Sequence, residues 1–456
     1  MLMLTAKTNA DDSRPSFWPR VREFAVPPSM IETATARRRA GDWAGACAAA
    51  GFDVDIDLRS MARAYGRELA AEIRSDLRHL APDLLRWHLP RVAPDGLLRP
   101  GLTITLARYP CGRAGFVHLV VRTAPAWADA GQRVGLALWD GPGTATGLHP
   151  HPRPDRRFRM DLHRHLWDAR RADELRVRSG AEPGADRAAL DPALLEMVPP
   201  DRGYAVDRWG AEARILLDSE GRQENTFLVR LGARQRVIAE LGPAGLRIAA
   251  AYPAGAVSAL PVLPDAAIWR PPDLELLRTG VISLDRLHPL VAAALVPDYS
   301  PSESVWGLIP AERTHLVECG GEQHRIGLVD GALSALDHDP GEIRREEILA
   351  ALTGTPLPCL QAIDQAHRQP DCLTGVRERL AHGDVAGAIC VVEGLLGPEA
   401  ILREGTLRDE LTATAQQRIT YGLYRSGLSE SQLAPSYPGA RRPRDRRAHP
   451  RNATSY

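Results

Sequence analysis

Apolar positions change their period twice along the chain. Over residues 31–91 they recur at helical spacing. Tyr65, Leu69, Ile73, Leu77 and Leu80 fall on one side, with Arg63, Arg67, Arg74 and Arg78 between them. Glu68, Glu72 and Asp76 balance those arginines, which predicts a mixed-charge solvent face. Pro82 stops the helix, because its ring cannot continue the hydrogen-bond ladder, and residues 84–89 add one short turn.

Near residue 100 the period drops to two. Leu102, Ile104 and Leu106 alternate with Thr103 and Thr105, residues 116–121 form a compact apolar run, and Val134, Leu136 and Leu138 alternate again. Pro110-Cys111-Gly112 and Ala130-Gly131 separate the three, which predicts an antiparallel meander. A polar, proline-rich stretch covers 141–156. Residues 215–217 and 227–231 flank Ser219-Glu220-Gly221-Arg222 as a predicted hairpin, continued by 236–241 and 246–251. A further hairpin is predicted from 315–319 and 325–329 around Gly320-Gly321.

Helical spacing returns after Asp339. Asp339, Pro340 and Glu342 supply an N-cap, a first-turn proline and an early carboxylate. Ile343, Ile348, Leu349 and Leu352 give the apolar side, and Gly354 the stop. Helix continues from about residue 360 to 428. The expected organisation is a polar, proline-rich tail at 1–30, read with its aromatics Phe17, Trp18 and Phe24 as a partly ordered strap on its own domain, a helical segment at 31–91, and a β-rich body at 92–338, in one unit or in two split near 141–205. A helical segment at 339–430 and a basic, disordered tail at 431–456 follow. The fold class is α+β: helical N- and C-terminal segments flank a central, mostly antiparallel β-rich body. One echo stands out. Residues 41–46 read GDWAGA and 383–388 read GDVAGA. Glycine suits the left-handed end of one helix and aspartate the N-cap of the next, so both predict helix–turn–helix hairpins.

Composition narrows the chemistry. Lys7 is the single lysine in 456 residues, and the other 56 basic residues are arginine. Arginine stays protonated and cannot act as a free amine. Phosphate-cradling P-loops, protein-kinase chemistry and Schiff-base or PLP chemistry are therefore disfavoured. Asparagine is nearly absent too, at Asn9, Asn225 and Asn452, which points to a GC-rich bacterial genome rather than to selection on function. The net charge is zero, so no global electrostatic argument favours nucleic acid or membrane. No apolar run suits a signal peptide or a membrane span. The six cysteines are scattered without a CxxC, as expected of reduced, mostly buried thiols in a cytoplasmic protein.

Candidate chemistry is sparse. His149, His151, His163 and His165, with Asp155 and Asp161 nearby, are the candidate ligands for a divalent transition metal. Asp161-Leu162-His163-Arg164-His165 resembles the DxHxH signature of amidohydrolase-type metal-dependent hydrolases, in which the two histidines leave a strand end and face one metal. The chain departs from that pattern in its arginine-rich lead-in and its missing lysine. The spacing of Phe158, Leu162, Leu166 and Ala169 predicts instead a surface helix, with His163 and His165 on different sides. Asp337-His338-Asp339 reads as an acid–base cluster or as the helix cap. Cys359, followed by His367, reads as a nucleophile or as a buried structural thiol. GxSxG, GxGxxG and P-loop motifs are absent.

These readings give three functional expectations. The first is a non-catalytic cytoplasmic interaction or adaptor protein, with any ATP-driven step supplied by a protein partner. The second is a metal-dependent hydrolase using the four histidines. The third is a nucleic-acid-associated protein using Arg441, Arg442, Arg444, Arg446, Arg447 and Arg451 of the tail.

Overall fold

The three segments near residues 102, 116 and 134 do form an antiparallel meander. The computed structural model describes residues 17–428, apart from 113–114, 142–148, 182–189, 199–202, 233–234, 244, 250–251, 297–314, 320 and 355. Strands are numbered β1 (Phe52–Asp55), β2 (Arg91–Val92), β3 (Leu97–Leu98), β4 (Thr103–Pro110), β5 (Phe116–Thr123) and β6 (Val134–Trp139). The first sheet has the order β1-β6-β5-β4, with a bulge in β4 between Thr105 and Ala107. Strand β1 joins in parallel, Phe52 opposite Val134, out of a segment expected to be helical throughout. Four residues are too few to register as a period of their own.

One apolar core joins residues 17–31, the helices between 47 and 89, the first sheet, residues 158–175 and residues 276–294. A second core lies between those last two stretches. It packs the helix Val206–Ser219 on β7 (Thr226–Arg230), β8 (Arg236–Gly242) and β9 (Gly245–Ile248), and uses residues 194–269. The chain thus leaves its first core after Leu175, builds a second, and returns at Leu276.

The fold is α+β, about 51% helical and 19% strand. The stretch 92–338 is less β-rich than its alternation suggests. Residues 215–217, expected as a strand, lie inside the Val206–Ser219 helix. Trp209, Ala213, Leu216 and Leu217 are its buried side, a helical spacing that a three-residue apolar run cannot reveal. Strands 227–231 and 236–241 and the start of 246–251 fall where expected.

The expected N-terminal tail is part of the core from residue 17. Phe17, Trp18, Val21 and Ala25 are buried. Arg22 is buried with them and forks onto Asp273 at 2.8 and 3.0 Å, while Trp87 Nε1 donates to the same carboxylate. The guanidinium lies 4.0 Å from the Trp87 ring centroid, a cation–π contact. Apolar neighbours and a paired charge together draw this segment in.

The C-terminal part starts with β10 (His315–Cys319), β11 (Glu322–Val329) and β12 (Ala332–Ala335), an antiparallel sheet containing the expected hairpin. Helices Pro340–Thr353, Pro358–Arg368, Leu373–His382, Val385–Leu396 and Thr406–Ser426 follow. Asp339 caps the first by accepting from Gly341 and Glu342, and Gly354 ends it in the left-handed region. The last helix docks on the first sheet: Tyr421 donates to Asp53 at 2.5 Å, and Arg425 pairs with Asp55.

Both GD-AGA segments are helix–turn–helix hairpins with the same local bonds. Gly41 and Gly383 have φ of +77° and +91°. Asp42 and Asp384 cap the next helix through Gly45 and Gly387, and each pairs with an arginine five residues earlier, Arg37 or Arg379. Their surroundings differ. A Cβ on Gly41 would meet open space, whereas one on Gly383 would sit 1.9 Å from the Gly131 carbonyl oxygen. Gly41→Ala should therefore cost only left-handed strain, about 1–2 kcal/mol. Gly383→Ala should cost well beyond that and loosen the C-terminal helices from the first core, as read from urea midpoints. Equal losses for the two variants would refute the close approach.

Candidate metal centre

The region 158–169 forms two tight 3-10 turns, Met160–Leu162 and Arg164–Leu166, rather than a surface helix. Ion pairs and one indole bond hold the turns. Arg159 forks onto Asp161 at 2.8 Å, Arg164 pairs with Asp76 and Asp168, and Trp167 Nε1 donates to the Met160 carbonyl at 2.9 Å. Asp76 is accordingly buried and also accepts from Tyr109, instead of lying on a solvent face.

His163 and His165 are buried, not exposed, and their ring centroids lie 5.8 Å apart. His163 Nδ1 donates to the Arg159 carbonyl, and its Nε2 lies 3.2 Å from Glu212. Arg178 forks onto the same carboxylate. Burial raises the Glu212 pKa, but His163 and Arg178 outweigh it and hold the carboxyl at about 2. His149 belongs elsewhere. Its Nε2–H donates to the Thr123 carbonyl at 3.0 Å, and its Nδ1 accepts from the His151 amide at 3.2 Å. Both ring nitrogens are thus occupied, while the His151 side chain is exposed. The four histidines proposed as ligands from sequence are not gathered at one point.

Among the described residues, three side chains do converge with metal-ligand chemistry: Cys319, His338 and Cys359, with one ligand atom from each lying within 4.8 Å of the others. Cys319 closes β10, His338 lies between β12 and the Pro340–Thr353 helix, and Cys359 is the second residue of the Pro358–Arg368 helix. Both cysteines are buried, at 4% and 1% exposure. Burial and a hydrogen bond with Cys319 push the Cys359 thiol up to about 11. His338 Nε2 is buried with no hydrogen-bond partner, and the His338 ring stacks on His324 at 4.2 Å.

The string Asp337-His338-Asp339 separates into three roles. Arg325 donates from Nε and Nη2 to Asp337, which holds that carboxyl at about 2. Asp339 is the helix cap. Only His338 faces the thiols. His367 shares a helix with Cys359 but stands two turns away, about 12 Å along the axis, so the two do not form a nucleophile–base pair. The basic tail from Arg441 to Arg451 lies outside the described residues, as does Lys7. No described helix is long and apolar enough to cross a membrane.

Cys319, His338 and Cys359 are far apart in sequence. They come from three elements, so no short ligand spacing marks them. Compared with family models, curated proteins and solved structures, the chain finds no match.

The occupied ring of His149 has a pH consequence. Burial depresses its pKa from 6.5 to about 4, because protonating Nδ1 would both charge a buried ring and break the His151 bond. The unfolded chain then binds more protons between those values. The stability contribution is complete above pH 6.5 and is lost as pH falls toward 4, by roughly 2–3 kcal/mol. His149→Gln should lose less stability than the parent protein between about pH 7 and about pH 4.5 in urea titrations. Identical losses would show that His149 carries no such linkage.

Proposed function

We propose that the protein is a non-catalytic interaction or adaptor protein whose C-terminal part presents the docking face. One observation carries this reading. No residue of the helix Pro340–Thr353 is buried, and of its larger apolar residues only Ile343 packs on the small neighbouring core. Ile348, Leu349 and Leu352 are 59%, 48% and 80% exposed. Leu316, Leu328 and Val329 of the adjoining sheet are exposed as well. Of the eighteen large apolar side chains exposed among the described residues, twelve lie from Leu316 onward. A capped helix that keeps Ile348, Leu349 and Leu352 in water is the form in which helices are received by a partner's groove.

The rest of the molecule supports a scaffold more than a reaction centre. Its buried ion pairs join distant segments, as Arg22 with Asp273 and Arg157 with Asp265. With lysine reduced to Lys7, any nucleotide-driven step falls to the partner.

The test is affinity capture of the full chain from native lysate, alongside Leu352→Glu and Ile348→Glu. Losing one buried leucine contact costs about 2 kcal/mol, so each variant should weaken capture roughly thirtyfold while leaving the melting temperature unchanged. Recovery of the parent chain as a free monomer, or capture by both variants equal to that of the parent, would refute the docking face.

A further inference from the structure

We propose that Cys319, His338 and Cys359 bind a zinc-class divalent ion, and that this ion staples the small C-terminal sheet to the two helices that follow it. The donor set is two thiols and one imidazole, the soft and borderline mixture that selects zinc over harder cations. A tetrahedral zinc with bonds of about 2.0–2.3 Å sets its ligand atoms roughly 3.3–3.8 Å apart. The three atoms already lie within 4.8 Å of one another, so closure needs movements of about an ångström or less. Water completes the fourth position.

Two further observations point to a ligand. His338 Nε2 is buried and has no hydrogen-bond partner, a cost that a coordinate bond would remove. His324 stacks on the same ring, at an interplanar angle of 14°, and so fixes its plane. The packing supplies a reason for a staple. The buried core of this sheet and the Pro358–Arg368 helix consists of Cys319, Ile326, Ala335, Cys359 and Ile363. Two of those five are the thiols themselves. So small a core is marginal alone, and metals commonly make up such a shortfall. Binding would join the end of β10, the residue preceding the Asp339 cap, and the start of the next helix. Each thiol that binds gives its proton to solvent, and no oxidant or reductant is required.

The experiment is titration of the reduced, metal-free full chain with Co²⁺, read by visible absorption, followed by displacement with Zn²⁺. One equivalent should produce ligand-field bands with a thiolate-to-cobalt charge-transfer band, and Zn²⁺ should abolish both. Cys359→Ser and His338→Gln should each weaken Co²⁺ binding by more than about 100-fold, beyond the 10–100-fold typical of changes outside the coordination sphere. Cys390→Ser, an exposed thiol outside the cluster, should bind as the parent does. His338 is only partly buried, so His338→Gln serves as the folded control should a thiol variant fail to fold. Absent bands, bands unchanged in both ligand variants, or recovery of Cys319 and Cys359 as a disulfide under reducing conditions would overturn the assignment.

Discussion

Arg86 is where the distant parts of the chain meet. Its side chain is 1% exposed, and its bonds go to three carbonyls: Ala25 at 2.9 Å, Gln132 at 2.5 Å and His382 at 2.9 Å. Those oxygens belong to the N-terminal segment, the approach to β6 and the C-terminal helices. Burial pulls the guanidinium down to about 10, against the opposing field of Asp129, so it remains charged near neutrality. A lysine could not replace it, because three separated acceptors need a planar fork and not a point charge. The Gly131–Gly383 approach lies beside this centre, since a Cβ on Gly383 would also come 3.2 Å from Arg86 Nη2.

Buried charged side chains also join other segments remote in sequence. Arg22 with Asp273 and Arg157 with Asp265 link the first core to the residues that close or follow the second. His288 Nε2 donates to Asp83 at 2.9 Å, while its Nδ1 caps the Pro289–Leu295 helix. Buried pairs of this kind contribute little net stability, because desolvation offsets attraction. Removing one partner, however, strands the other in a dry interior. The pairs therefore specify which segments may meet. The abundance of arginine thus has a structural consequence whatever its genomic origin.

Legibility followed the range of the interactions involved. Features set by neighbours in sequence were readable: the Asp339 cap and Gly354 stop, the paired Gly-Asp hairpins, and the meander of β4 to β6. Features set at long range were not. Residues 215–217 are apolar enough to pass for a strand, but their period appears only when Val206 and Trp209 are included. Residues 160–166 have helical spacing, yet ion pairs to Asp76 and Asp168 fold them into tight turns. The aromatics Phe17 and Trp18 marked a strap, but not its partner Asp273, which lies far along the chain. The metal candidates show the same limit. Four histidines close in sequence spread over separate sites, while two cysteines and a histidine from three elements converge.

The interrupted first core has a consequence for synthesis on the ribosome. Asp273 and residues 276–294 emerge long after Arg22 and the first sheet, and the second core, contiguous over 194–269, emerges between them. At about 5–20 residues per second, Arg22 waits on the order of ten seconds or more for its carboxylate. The inserted unit can therefore be complete while its host is still open. The nascent N-terminal half must meanwhile remain soluble with its central apolar surface uncovered.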